Sequence, residues 1–259
     1  MKRNVFIIGL TVLLISGLLL AGCSAIIKKT AGPTAAREYD FTDFNRIDIG
    51  YAFKLEVSRA DTYRVTINAN EGDFNHIKVT KTGDTLEIGM DGLFIHLSPS
   101  PRVKITMPEL RGLSMSGASE GTVTGFISSD DFALSLSGAS ELEMDMETGA
   151  FHGELSGASE VMGNLTAASC GIVLSGASEI ELTGSGGNIN IDASGASQVR
   201  LVSFTVGDAS IDLSGASDTN MKINGMMDAT LSGASTLYYS GNPTLGDTDI
   251  TGGSSLERR

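Results

Sequence analysis

Apolar and polar residues alternate with a period of two along much of the chain after residue 40. Ile47-Asp48-Ile49, Phe53-Lys54-Leu55-Glu56-Val57, Tyr63-Arg64-Val65-Thr66-Ile67, Ile77-Lys78-Val79, Leu86-Glu87-Ile88 and Val103-Lys104-Ile105-Thr106-Met107 all follow it. Alternation rich in β-branched residues predicts strands that turn one face to a core and the other to water. Gly83-Asp84, between two of these strands, reads as a turn. No part of this half carries a helical period.

From residue 113 a second pattern is laid over the alternation. Ser-Gly-Ala-Ser begins at Ser116, Ser137, Ser156, Ser175, Ser194, Ser214 and Ser232, at intervals of 21, 19, 19, 19, 20 and 18 residues. Thr251-Gly252-Gly253-Ser254 follows 19 residues later as a worn eighth copy. The tetrapeptide is usually preceded by an apolar residue, such as Leu136, Leu155 or Leu174, and often followed by an acidic and then an apolar one, as in Glu141-Leu142. Self-similarity at this period marks a solenoid, in which a repeat buries its apolar side chains only against its neighbours. A helical repeat is disfavoured, because Gly and Ser at this density would destabilise a helix in every unit. The expected fold is all-β, a parallel β-helix of about 19-residue coils preceded by a strand-rich N-terminal sub-region. In the tetrapeptide, Gly permits positive φ at a bend, Ala fits a tight corner, and the Ser hydroxyls can satisfy backbone groups.

The first residues have another character. Lys2 and Arg3 precede an apolar run from Val5 to Leu20, which Leu20-Ala21-Gly22-Cys23 ends abruptly. The run is short for a membrane span and has the layout of a secretion signal. Leu-Ala-Gly-Cys resembles the lipobox of bacterial lipoproteins, and that resemblance implies cleavage before Cys23 and a diacylglycerol on its sulfur. Several acyl chains hold a protein on a bilayer, since each buried methylene contributes about 0.8 kcal/mol. Ser24 stands where Asp would favour retention at the inner membrane, so outer-membrane sorting is expected in a host with two membranes. The expected organisation is a signal peptide over 1–22, a lipidated N-terminus and tether over 23–40, a strand-rich part over 41–112 and the repeat over 113–259.

Charge then separates the two halves. The 259-residue chain has a net charge of −13. Residues 24–112 carry twelve basic and twelve acidic side chains, whereas residues 113–250 carry only Arg200 and Lys222 against eighteen acids. Such a surface repels nucleic acid and anionic polymers and attracts cations or basic partners. Acidity also keeps a repetitive β protein from pairing edge to edge. With Cys23 lipidated, Cys170 has no cysteine partner, so the fold must rest on packing; Cys170 reads as a small buried apolar residue. His76, His96 and His152 lack metal-ligand spacing.

Stacked coils lie about 4.8 Å apart, which would align Glu120, Glu141, Glu160, Glu179, Gln198 and Asp218 in one column. Whether they point outward does not follow from the sequence, because a corner can break alternation. Like charges stacked this way repel, and a row of carboxylates suits divalent cations, so Glu120, Glu141, Glu160, Glu179 and Asp218 are the candidate cation ligands. The row lacks the Gly-Gly-x-Gly-x-Asp pattern of calcium-binding β-rolls.

The strand pair around Ile47 to Val57, Gly83-Asp84-Thr85-Leu86-Glu87-Ile88, and Val103-Lys104-Ile105-Thr106-Met107-Pro108-Glu109-Leu110 running into Leu113-Ser114-Met115-Ser116-Gly117-Ala118-Ser119 carry a further resemblance. From about Phe44 to the C-terminus the chain resembles the putative auto-transporter adhesin, head GIN domain family. The resemblance implies a β-helix-like domain at the cell envelope and brings no catalytic residues. The lipobox and the lack of a recognisable translocating barrel depart from an auto-transporter. The expected function is a non-enzymatic, lipid-anchored envelope module for binding, adhesion or scaffolding, with a protein or glycan ligand, no cofactor and possible lateral association. Two alternatives remain. One is a divalent-cation-binding structural protein. The other is a β-helix enzyme acting on polysaccharides, which would need paired carboxylates or a basic residue at a cleft. The repeat half offers it only two basic residues and one compact aromatic pair, Tyr238-Tyr239.

Overall fold

A computed structural model describes residues 32–92 and 100–259. The expected signal peptide, Cys23 and His96 lie outside the described residues. Residues 32 to 259 form one compact unit. The first part of the chain supplies β1 (Thr34–Tyr39), β2 (Arg46–Ile49), β3 (Lys54–Arg59), β4 (Arg64–Asn70), β5 (Ile77–Thr82), β6 (Thr85–Met90) and β7 (Arg102–Met107), with a 3-10 turn at Asp73–Asn75. The repeats supply β8 (Gly112–Met115), β9 (Glu120–Ile127), β10 (Phe132–Leu136) and three fifteen-residue strands, β11 (Glu141–Leu155), β12 (Glu160–Leu174) and β13 (Glu179–Ala193). β14 (Gln198–Val206), β15 (Ala209–Leu213), β16 (Asp218–Ile223), β17 (Met226–Leu231), β18 (Thr236–Gly241), β19 (Thr244–Ile250) and β20 (Ser255–Arg258) complete it.

Coils stack in parallel register as two ladders. Ladder I runs β6, β2, β8, β10, the second halves of β11, β12 and β13, then β15, β17 and β19. Ladder II runs β7, β3, β9, the first halves of β11, β12 and β13, then β14, β16, β18 and β20. Each long strand thus serves both ladders by bending round a corner. Their inward residues form one continuous apolar core, as the period-two pattern requires, and each fully buried Leu, Ile or Phe contributes about 1.5–3 kcal/mol.

The Ser-Gly-Ala-Ser corner is where successive coils are tied. The Ala N–H donates to the C=O of the Gly in the preceding coil, at 2.7 Å from Ala139 to Gly117, Ala158 to Gly138 and Ala177 to Gly157. The last Ser of each copy is buried, and its hydroxyl donates back to the first Ser C=O of the same corner, as from Ser159 to Ser156 at 2.8 Å. A buried hydroxyl is tolerated there because it is paired. The Gly has φ near +77°, and a Cβ on Gly157 would stand 2.5 Å from Gly138 O. Thr251-Gly252-Gly253-Ser254 makes the same corner, with Gly252 at φ +72° and Gly253 N donating to Gly233 O at 2.7 Å.

The first half departs from its linear reading. β2 and β3 form a coil that lies between the coil of β6 and β7 and the coil of β8 and β9. Its corner, Gly50-Tyr51-Ala52-Phe53, sits under Ser116-Gly117-Ala118-Ser119, with Ala118 N donating to Tyr51 O. Tyr51 takes φ +74° where the other corners have Gly, and Phe53 is buried where they have Ser. The stack is closed by antiparallel strands: β4 on β7, β1 on β4, and β5 on β6. Residues 34–39, expected as the end of a tether, are β1. Thr-Ala-Ala-Arg-Glu-Tyr has no apolar alternation, and backbone pairing with β4 decides its conformation.

Two core positions are chemically distinctive. Cys170 lies between Phe151 and Ile189 in register, and burial pushes its thiol up to about 11. Thr219 replaces the aliphatic residue of its column, between Val199 and Leu237. It is fully buried, and among the described residues its Oγ1 has no hydrogen-bond partner.

Three outcomes follow for urea and thermal unfolding of residues 32–259. Gly157→Ala costs about 3 kcal/mol, because a left-handed non-Gly residue costs about 1–2 kcal/mol and the backbone clash adds overpacking of about 1–3 kcal/mol. Gly72→Ala, where a Cβ meets nothing within 4 Å, is the neutral control. Thr219→Val gains about 1 kcal/mol by removing the unpaired hydroxyl, a rise in Tm of about 2–4 °C. For Cys170, the native state holds its proton to higher pH than the unfolded state, whose thiol ionises near 9.0. Its contribution is complete below that pH and is lost toward about 11, at about 1.4 kcal/mol per pH unit. Cys170→Val should lack this component of the alkaline slope.

Candidate functional site

Because ladder II repeats in register, its outward positions form continuous columns. The first contains Arg102, Lys54, Glu120, Glu141, Glu160, Glu179, Gln198 and Asp218. The six residues expected to share a column do share one. Alternation passes through each corner in unchanged phase: the last Ser turns inward and the next residue turns outward, so Glu120, Glu141 and Asp218 are exposed, while Glu160 and Glu179 are half-buried. At about 4.8 Å, neighbouring carboxylates repel by about 1 kcal/mol in a water-like dielectric. Splaying into solvent reduces this, and cations at two points offset it. Lys54 Nζ lies 2.5 Å from Glu120 Oε2, and Arg200 pairs with Glu179 and reaches Glu181 Oε2 at 3.8 Å.

Beside the row, Glu143, Met162, Glu181 and Arg200 occupy the next outward column. An open groove of about 430 Å³ runs along the far side of this second column, away from the Glu120 to Asp218 row, lined by Glu143, Met144, Asp145, Met162, Gly163 and Glu181. Asn164 Nδ2 donates to Asp145 Oδ1 at 3.1 Å along its side. Gly163 forms its floor at φ +147°, where a Cβ would stand 1.8 Å from Met144 O. Among the described residues no three His, Cys, Asp or Glu side chains converge as a metal cage requires; the candidate cation ligands stand in a row.

Ladder I presents a second face. His152 lies between Ala133 and Gly171 in register, and its Nε2 is 3.2 Å from Glu154 Oε1. Asp48 stands beside Glu87, and burial, then the Glu87 charge, raises its pKa. His76 lies far along the chain, at the 3-10 turn, where its N–H donates to Asp73 O. Tyr238 and Tyr239, expected as a compact aromatic pair, point to opposite sides of β18. Arg259 covers the Tyr238 ring at 3.4 Å, and Tyr239 packs half-buried against the core.

One spacing of catalytic type is present in the first Ser-Gly-Ala-Ser corner. Gly117-Ala118-Ser119-Glu120-Gly121 has the Gly-x-Ser-x-Gly spacing of a hydrolase elbow. Here Ser119 is fully buried and its hydroxyl donates to Ser116 O at 3.0 Å, which is the structural role of that Ser in the other corners.

Comparison with known proteins agrees with this geometry. The fold is similar to that of a putative lipid binding protein from Parabacteroides distasonis, at 15% identity and a TM-score of 0.82, covering 88% of this chain and 97% of that one. A putative adhesin from Parabacteroides merdae has a TM-score of 0.83 at 15% identity with the same coverage, and one from Bacteroides fragilis has 0.67 at 17%, again with the same coverage. No curated protein matches the sequence. The model of the putative auto-transporter adhesin, head GIN domain family matches residues 43–243, from just before β2 to just before β19. That span contains the inserted coil and all seven Ser-Gly-Ala-Ser corners, and the chain belongs to this family.

Proposed function

We propose that this chain is a non-enzymatic, lipid-anchored envelope module whose rigid solenoid presents the acidic face of ladder II to a basic protein partner. The observation that carries the reading is the unbroken row Glu120, Glu141, Glu160 and Glu179, one carboxylate per coil over four consecutive coils. A stack tied at every corner holds these groups at fixed spacing, so no ordering of the scaffold opposes binding. Such a row attracts positive charge and speeds encounter, more strongly at low salt. Family membership and the fold shared with proteins called putative adhesins support an adhesion-type role. Anchoring rests on Leu20-Ala21-Gly22-Cys23 alone.

Surface plasmon resonance of residues 32–259 against a cationic protein, with a neutral glycan array in parallel, tests the face. Glu141→Gln with Glu160→Gln should weaken protein binding about tenfold, as should a rise from low to physiological salt, where the screening length falls to about 8 Å. Binding that ignores both changes, or that appears only on the array, overturns the assignment. For the anchor, Cys23→Ala should abolish metabolic fatty-acid labelling and release the chain from the membrane fraction; persistent labelling removes the lipid from the proposal.

A further inference from the structure

The corner of the inserted coil carries a side chain where the Ser-Gly-Ala-Ser corners carry none. At those seven corners the second residue is Gly, with φ between +72° and +80°, whereas the β2–β3 corner reaches φ +74° with Tyr51. The stack uses only the backbone of this residue: Tyr51 O accepts from Ala118 N at 2.5 Å, as Gly117 O accepts from Ala139 N in the next coil. A Gly would make the same bond without the strain that a left-handed Tyr bears. Strain kept where the usual corner residue would remove it points to a use for the side chain. The ring is 43% exposed. It lies on the outward side of ladder I, where a Cβ on Gly89 would stand 3.8 Å from Tyr51 Cε2.

Beside the ring is a hollow of about 260 Å³ on the outward side of β5, β6 and β2, lined by Asp48, Lys78, Thr80, Glu87 and Gly89 as well as Tyr51. Register sets Thr80, Glu87 and Asp48 in one row across these strands, with Lys78 and Gly89 in the next. We infer that this hollow binds a neutral saccharide, stacked on the Tyr51 ring and hydrogen-bonded at its rim by Asp48, Glu87, Thr80 and Lys78. The lining selects that class of ligand. An aromatic face takes the apolar C–H side of a sugar ring. Carboxylates accept from its hydroxyls, while Lys and Thr donate to its oxygens. Thr80 Oγ1 and Glu87 Oε2 are 3.4 Å apart, a long contact that a ligand hydroxyl can replace on both sides. Lys78 Nζ lies 2.9 Å from Asp91 Oδ2, and an ammonium has further protons to donate. A cationic ligand would also favour the ring and the carboxylates, but the Lys78 ammonium in the same lining opposes it. An anionic ligand meets Asp48 and Glu87. No residue of the hollow belongs to the acidic row of ladder II, so this inference stands apart from the proposed protein-binding face.

Residues 32–259 should bind on an array of neutral oligosaccharides, and the strongest binder then serves as the probe in isothermal titration calorimetry. Silence across the array overturns the inference. Tyr51→Gly should abolish binding while keeping Tm within about 2 °C of the parent, because Gly fits the corner. A larger fall in Tm makes the ring part of the fold and overturns its assignment to a ligand. Asp48→Asn with Glu87→Gln, which preserve shape, should raise Kd about tenfold by weakening charge-assisted hydrogen bonds. A Kd indifferent both to this pair and to Tyr51→Gly places the saccharide elsewhere and also overturns it. Displacement of the saccharide by tetramethylammonium assigns the hollow to cations, with the same result. Glu141→Gln with Glu160→Gln should leave saccharide binding unchanged, so failure here leaves the protein-binding face standing, and the reverse also holds.

Discussion

The hydrogen bond from each corner Ala N–H to the Gly C=O one coil earlier is the interaction on which the rest of the molecule depends. It fixes the vertical spacing at the tightest point of the coil, where a side chain would collide with the acceptor itself. Positive φ and close approach fall on the same residue, so Gly satisfies two constraints at once. Once the corners are in register, strands on both sides must pair in register. The buried Ser, closed on its own turn, lets the chain pass from one ladder to the other without leaving a polar group unpaired in the core.

Much of this was legible because the corner imposes a composition as well as a spacing. The seven intact tetrapeptides and the worn copy at Thr251 identify the solenoid, and the alternating residues identify its strands. The inserted coil was not legible, since Gly50-Tyr51-Ala52-Phe53 keeps only the Ala of the motif at its place and Tyr51 accepts a left-handed backbone. β1 was hidden for the opposite reason: it is held by backbone pairing, which leaves no hydrophobic signature. Of the candidate site, the sequence showed which residues share a column. Their direction depended on whether the corner keeps the phase of the alternation, and that it does, with the last Ser turned inward, is a fact of three-dimensional geometry.

The same register that stabilises the core creates the surface. Stacking puts Ile on Ile and Leu on Leu inside, and it equally puts Glu on Glu outside. Lys54 and Arg200 relieve that repulsion only at separate points, so a band of negative potential remains between them. A fold built by repetition cannot disperse its charges as an irregular one can. Its outer face is a regular lattice whether or not a partner reads it.

The placement of β2 and β3 between strands made later in the chain has a kinetic consequence. A simple solenoid can grow coil by coil as residues become available, through local contacts alone. Here the earliest coil has neither neighbour until β6 and β7 on one side, and β8 and β9 on the other, have been made. Its pairings span dozens of residues, and loop-closure entropy must be met before they form. The first coil is therefore kept from consolidating until both of its neighbours have been made.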